Sequence, residues 1–133
     1  DYVPYVKTKN IIFISGQIPI KNKNIIYKGK LGKEISVEEG KKAAELCIIN
    51  TFAILKQATN NNLLSIKKCV KLNVFINSID NFFEQPEVAD GASKLLNKIL
   101  HPNGSHSRSA VSCNSLPRNV SVEIDSIFEI KSV

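Results

Sequence analysis

From Val120 to Lys131 the residues alternate: Val120, Val122, Ile124, Phe128 and Ile130 fall on one side of an extended chain, and Ser121, Glu123, Asp125, Glu129 and Lys131 on the other. A period of two sustained this long marks a half-buried strand, so the chain needs a sheet with one covered face. Candidate cover lies upstream. Ser36-Val-Glu-Glu39 has the spacing of a capping box, in which the Ser oxygen accepts from a first-turn amide and the Glu side chain answers the Ser amide. Behind it Ala44, Cys47, Ile48, Thr51, Leu55 and Ala58 recur at helical spacing and form one apolar stripe, until the run TNNN at Thr59 to Asn62 closes the helix. Cys47 thereby reads as a small core residue and not as a nucleophile. A second amphipathic helix is predicted after Pro86, with Val88, Ala92, Leu95 and Ile99 facing inward and an end near His101-Pro-Asn-Gly104.

Further strands complete the set. The run NIIFISGQIPI, Asn10 to Ile20, is rich in Ile and Phe and ends at a Gly and a Pro; Tyr2 to Thr8 forms a preceding strand or arm. Val70, Leu72, Val74 and Ile76 alternate against Cys69, Lys71, Asn73, Phe75 and Asn77. Between Ile20 and Glu34 Lys, Asn and Gly dominate, which predicts a surface loop. The order β-β-α-β-α-β-β implies an α+β fold, with an antiparallel or mixed sheet and both helices on one face. A length of 133 residues suits one domain over residues 1–133, burying roughly two thirds of its unfolded surface. The sheet's second face carries Phe13, Phe75 and Ile127 among small polar residues, so burial against another subunit is expected.

Composition excludes more than it assigns. No apolar run approaches the roughly 18 residues a membrane-spanning helix needs, so no membrane partner is expected. The formal charge of +6 comes mostly from lysines scattered beside Asn, the pattern of a solvated surface, and any RNA association would be weak and electrostatic. Cys47, Cys69 and Cys113 cannot all pair with one another, and no C-x-x-C or Cys/His cluster suggests a structural metal. A reducing, cytoplasmic setting is expected, or the mitochondrion or another organelle if a targeting segment lies upstream of Asp1.

His106 to Asp125, HSRSAVSCNSLPRNVSVEID, reads as two strands joined by a turn at Pro117-Arg118: a hairpin carrying Arg108 and Glu123 on its pleat. In that register Arg108 shares a face with Ser112, Glu123 and Asp125 and sits opposite Ile127, roughly 13 Å along the strand from Glu123. The two charges would frame a groove whose small Ala and Ser side chains leave room for a ligand. The competing reading is a pair of charges on a solvated face.

Ile14 to Ile20 (ISGQIPI), Ser36 to Ala58, Val70 to Phe82 (VKLNVFINSIDNF) and Arg108 to Ile130 together resemble the reactive intermediate deaminase family, whose members are also called RidA, YjgF-like or L-PSP endoribonuclease proteins. The resemblance runs from about Tyr2 to the C-terminus, and the pairing of S-G-Q-I-P with R-S-x-V, L-P and V-x-V-E-I is specific. It implies a chorismate-mutase-like α+β fold and a homotrimer whose sheets form a central barrel, with three clefts between subunits. It also implies hydrolysis of 2-imino acids such as 2-iminopropanoate and 2-iminobutanoate to the 2-oxo acid and ammonia, with no cofactor and no metal. Arg108 would grip the substrate carboxylate with its planar fork, and Glu123 would hold and polarise the attacking water. Ser15 and Gly16 would fall where the backbone closes on the ligand. Tyr2 would contribute a hydroxyl, or Tyr5 if the variable N-terminal segment is shifted.

Two positions depart from the family pattern: Ala110 stands where many deaminases carry a cysteine, and no asparagine near Gln85-Pro86 matches that of the second helix. They mark a divergent subgroup. Two other functions stay open. One is the endoribonuclease activity that gives the family one of its names, for which His101 and His106 are the only histidines available. The other is a trimer that binds small ligands without turning them over.

Overall fold

Local signals decide the helices. In the computed structural model, which describes residues 1–132, α1 spans Val37–Ala58 and opens on the predicted capping box: the Glu39 amide donates to Ser36 Oγ (3.2 Å) and the Ser36 amide to Glu39 Oε1 (3.0 Å). Such a cap contributes about 1 kcal/mol. At the other end Thr59 caps the helix, and Asn60 and Asn61 turn left-handed (φ 52° and 65°), a conformation Asn tolerates. All six stripe residues, Ala44, Cys47, Ile48, Thr51, Leu55 and Ala58, are buried. The second helix, α2, spans Gln85–Leu100 with Pro86 in its first turn. Its inner face corrects the sequence expectation: Val88 and Ala92 are buried, but Leu96 takes the core position while Leu95 is half-buried and Ile99 exposed. Packing on α1 sets this rotation. A Cβ at Gly91 would lie 2.3 Å from the Lys41 carbonyl, so the backbones touch there, and the face around Gly91 turns inward.

Strands β1 (Tyr5–Thr8), β2 (Ile11–Gln17), β5 (Ile66–Asn77), β6 (Ser107–Cys113) and β7 (Val122–Ile130) form one sheet, and β3 (Ile20–Lys21) pairs with β4 (Asn24–Ile25) in a small separate ribbon. The main sheet runs β1-β2-β7-β5-β6, with β5 and β6 parallel and the other neighbours antiparallel. Both helices cover the same face. The expected hairpin of β6 and β7 is therefore absent, because β5 lies between them. Two forces decide against it. The strand–helix–strand run β5-α2-β6 is a crossover unit, whose strands align in parallel. The segment after β6 is then carried across the end of β5, where the Asn77 amide donates to Ser121 O (2.9 Å) and Asn77 Nδ2 to Val120 O (3.2 Å).

The register follows from that topology. Leu72 of β5 pairs with Arg108 on one side and Ser126 on the other, all facing the helices, while Phe75 pairs with Glu123 on the opposite face. Register-paired side chains share a face, so Arg108 and Glu123 project to opposite sides of the sheet and not, as the hairpin required, to the same side. A bulge between Cys69 and Lys71 also breaks the predicted alternation in β5: Cys69 joins Leu72, Val74 and Ile76 in the core, and Val70 is only half-buried. The stretch from Ile20 to Glu34 is more than a surface loop, since it holds the β3–β4 ribbon and the fully buried Leu31, bridged to Ile35 and Ser78. Lys30 Nζ fastens it by donating to Asn77 Oδ1 (2.9 Å), Ser78 O (3.4 Å) and Asn114 O.

The sheet face away from the helices carries the expected apolar residues. Phe13 pairs with Ile127 and is 45% exposed, Phe75 pairs with Glu123, and Val111 on the edge strand is 50% exposed. Among the described residues no helix packs on this face, and Phe75 and Ile127 are half-buried there.

Candidate functional site

The first constellation sits where β2 runs out beside β7. Between Ile14 and Gln17 the β2–β7 register shifts, so Ser15 and Gly16 form a bulge, and a Cβ on Gly16 would fall 2.2 Å from Glu123 Oε2. Only glycine lets the carboxyl lie over the backbone here. Glu123 is half-buried, and its pKa is raised from the ordinary carboxylate value by burial first and by the neighbouring Asp125 second. Asp125 is itself held by Asn73 Nδ2 at 2.8 Å. The carboxyl opens on a cleft of about 630 Å³ whose lining includes Tyr2, Gly16, Ile54, Pro117 and Arg118. Asn50 of α1 shapes one wall by donating to Ile18 O (2.9 Å) and Ile20 O (3.0 Å).

The sequence-predicted residues divide at this cleft. Glu123, Gly16 and Tyr2 line it together. Tyr5 instead packs against the core, so of the two tyrosines Tyr2 is the one at the cleft. Ser15 supports from behind: its hydroxyl donates to Val3 O (2.7 Å) and its amide to Pro4 O (2.9 Å), which pins the arm bearing Tyr2. Arg118 went unnoticed in the sequence, where it marked only a turn. It lies in the short turn Pro117–Asn119 in the left-handed region (φ 57°, ψ 20°), followed by Asn119 at φ 57°. Arg has no propensity for that conformation, so no local signal places it.

Arg108 belongs to a second constellation, under α2. Its Nη1 donates to Asp90 Oδ1 (2.9 Å) and to Ser93 Oγ (3.1 Å). His106 Nδ1 lies 2.6 Å from Gly104 O, and a carbonyl only accepts, so Nδ1 carries the hydrogen. In the neutral ring Nε2 then accepts from the Ser93 hydroxyl at 2.9 Å, which frees the Ser93 oxygen to accept from Arg108. The small cavity beside this chain of bonds, about 280 Å³, is lined by Ser93, Asn97, Ser105, His106 and Arg108. His106 is thus a bonded member of a network, whereas His101 is exposed at the end of α2. The two clusters do not share a cavity.

The two buried thiols are poorly suited to nucleophilic work. Burial pushes Cys47 well above its ordinary pKa, with the Glu123 charge adding to it, and burial pushes Cys69 up to about 12. Cys47 spends its hydrogen on Val122 O at 3.7 Å.

A family model described as "YjgF/chorismate mutase-like, putative endoribonuclease" matches residues 1–129. The protein TCP17 of Trypanosoma cruzi is 37% identical over 133 residues, covering 99% of this chain and 82% of that protein. The crystal structure of Atu1372, a protein of unknown function from Agrobacterium tumefaciens, has a TM-score of 0.97 at 42% identity, covering 98% of this chain and 82% of that one. E. coli TdcF, solved with bound serine, shares the fold at a TM-score of 0.66 and 22% identity, covering 99% of this chain and 89% of that one.

Proposed function

The chain belongs to the YjgF/chorismate mutase-like family, and on that premise we propose that it hydrolyses small 2-imino acids, such as 2-iminopropanoate and 2-iminobutanoate, to 2-oxo acids and ammonia in the clefts of a homotrimer. The observation that carries this reading is Glu123: a carboxyl of raised pKa held over Gly16 in an open cleft. A raised pKa makes its carboxylate a stronger base toward water than an ordinary glutamate. In the proposed step Glu123 accepts that proton as the water oxygen bonds to the imine carbon. The C=N π pair moves to nitrogen, which takes that proton back from Glu123 to give the tetrahedral amino alcohol. The adduct then collapses as Glu123 accepts the hydroxyl proton, the C=O bond forms, the C–N bond breaks with its electron pair going to nitrogen, and nitrogen takes the proton from Glu123 and departs as ammonia.

Assembly would bring the two constellations together. Within one chain Arg108 and Glu123 lie on opposite faces, but Arg108 is on β6, the edge of the sheet, and among the described residues no helix packs on the face bearing Phe13, Phe75 and Ile127. Docking of three copies through that face and edge would carry Arg108 of one subunit to the Glu123 cleft of the next, where its remaining donors would take the substrate carboxylate. Asp90 and Ser93, which hold Nη1, would act as positioning residues. The endoribonuclease reading finds less support, since His106 is committed to Ser93 and Gly104 and His101 stands apart at the exposed helix end. The compartment we propose is the cytoplasm.

The test couples purified protein to an imine-releasing dehydratase with semicarbazide as the competing trap, and follows 2-oxo acid formation. Acceleration over buffer is expected, with a trimeric mass by light scattering at micromolar concentration. A stable monomer, or no acceleration, would remove the reading.

A further inference from the structure

The Glu123 cleft contains a cation that the proposed chemistry does not use. Arg118 lines it, and among the described residues no ion pair engages its guanidinium. It does not neutralise Glu123 either, for the carboxyl's shift arises from burial and Asp125 with no contribution from a cation. The two opposite charges therefore face one cavity without closing on each other, which leaves space for a ligand between them.

Arg118 is also held there at a cost. It and Asn119 both sit in the left-handed region, which Asn tolerates but in which Arg is strained, and such strain persists only when the surroundings impose it. The surroundings do so. Asn119 O accepts from the Gly29 amide (2.9 Å), Asn119 Oδ1 from Asn77 Nδ2 (3.3 Å), and Val120 pairs with Lys28. The turn is thus locked from two directions, and the base of the Arg118 side chain is pre-positioned.

We propose that Arg118 is a second anion clamp of this cleft and that it selects 2-imino and 2-oxo acids bearing a distal carboxylate, that is, dicarboxylates. This rests on the reading that the Glu123 cleft is the reacting site, with the first carboxylate held elsewhere in the assembled cleft. A distal carboxylate gains a charge-assisted, fork-shaped contact, worth about tenfold or more in affinity. A monocarboxylate with an alkyl tail gains nothing from it.

The decisive variant is Arg118→Gly, because glycine takes a φ of 57° without strain and so deletes the side chain without endangering the turn. Calorimetry on the assembled protein at low salt, with 2-oxoglutarate and 2-oxobutanoate as probes, reads binding without any need for turnover. Wild type should bind 2-oxoglutarate about tenfold or more tightly than 2-oxobutanoate. Arg118→Gly should erase that preference while leaving 2-oxobutanoate within about twofold. Equal weakening of both probes would mean that Arg118 holds the carboxylate common to them and would overturn the inference, as would no change in either. Failure of imine hydrolysis with the dicarboxylate preference intact would instead overturn the proposed function and leave this clamp standing.

Discussion

The cleft around Glu123 and the pocket around Arg108 are built on opposite principles. In the pocket the side chains are tied to one another: Arg108 Nη1 to Asp90 and Ser93, Ser93 to His106, and His106 to the Gly104 carbonyl. In the cleft two charged groups are left over. Glu123 is half-buried with a raised pKa, Arg118 is without an ion pair among the described residues, and the Arg118 backbone is strained. A satisfied network fixes a side chain in place, whereas an unsatisfied one retains the free energy to bind or to move a proton. The pocket thus has the character of a holder, and the cleft that of a reaction site.

The largest expected effect tests whether the two regions work together at all. Arg108→Ala should abolish both 2-oxo acid binding and imine turnover, and Arg108→Lys should rescue poorly, because a point charge lacks the fork. Wild-type turnover by Arg108→Ala would separate the regions functionally and leave the cleft to act alone. Next in size is Glu123→Gln, for which steady-state kinetics should show kcat down by about 10²-fold or more with ligand binding retained.

A smaller change sharpens the role of the bulge. The clash of a Cβ at Gly16 is with the tip of a flexible side chain, so Gly16→Ala should swing the carboxyl aside with less than ~1 kcal/mol lost in stability, and kcat should fall about tenfold. An unfolded variant, or one with full activity, would show that the close approach is not what positions Glu123. The smallest effect is on melting temperature. Because folding raises the Glu123 pKa above its ordinary 4.5, stability is fully present below that pH and declines as pH rises through the raised value. Glu123→Gln should therefore raise Tm at about pH 7 and leave it nearly unchanged at about pH 4. The same shift predicts that imine turnover falls with acid at a higher pH than an ordinary glutamate would give.

The candidate site was partly legible in advance. Gly16, Glu123 and Tyr2 were named from motif resemblance, and they line one cleft. Arg118 escaped because its importance lies in a left-handed turn that Asn77 and Gly29 impose from distant parts of the chain. Asp90 and Ser93 escaped, and His106 stood out only as an endoribonuclease candidate, because the contacts that give them meaning join α2 to the start of β6, and spacing along either element does not reveal them.

What the sequence determined by itself is whatever depends on residues within a turn or two of each other. The capping box at Ser36, the Asn-rich stop after Ala58 and the apolar stripe of α1 each rest on contacts a few residues apart, and each stands in the structure as read. The alternation in β7 is of the same kind, for the pleat alone assigns its faces. The choice of strand neighbours is different, because one extended segment pairs about as well with several others. Only the crossover through α2 puts β5 between β6 and β7, and only the resulting register sends Arg108 toward the helices and Glu123 to the other face. The bulge at Cys69 and the inward turn of Leu96 were decided the same way, by how whole elements pack, since a one-residue shift in register or a modest helix rotation exchanges which side chains are buried.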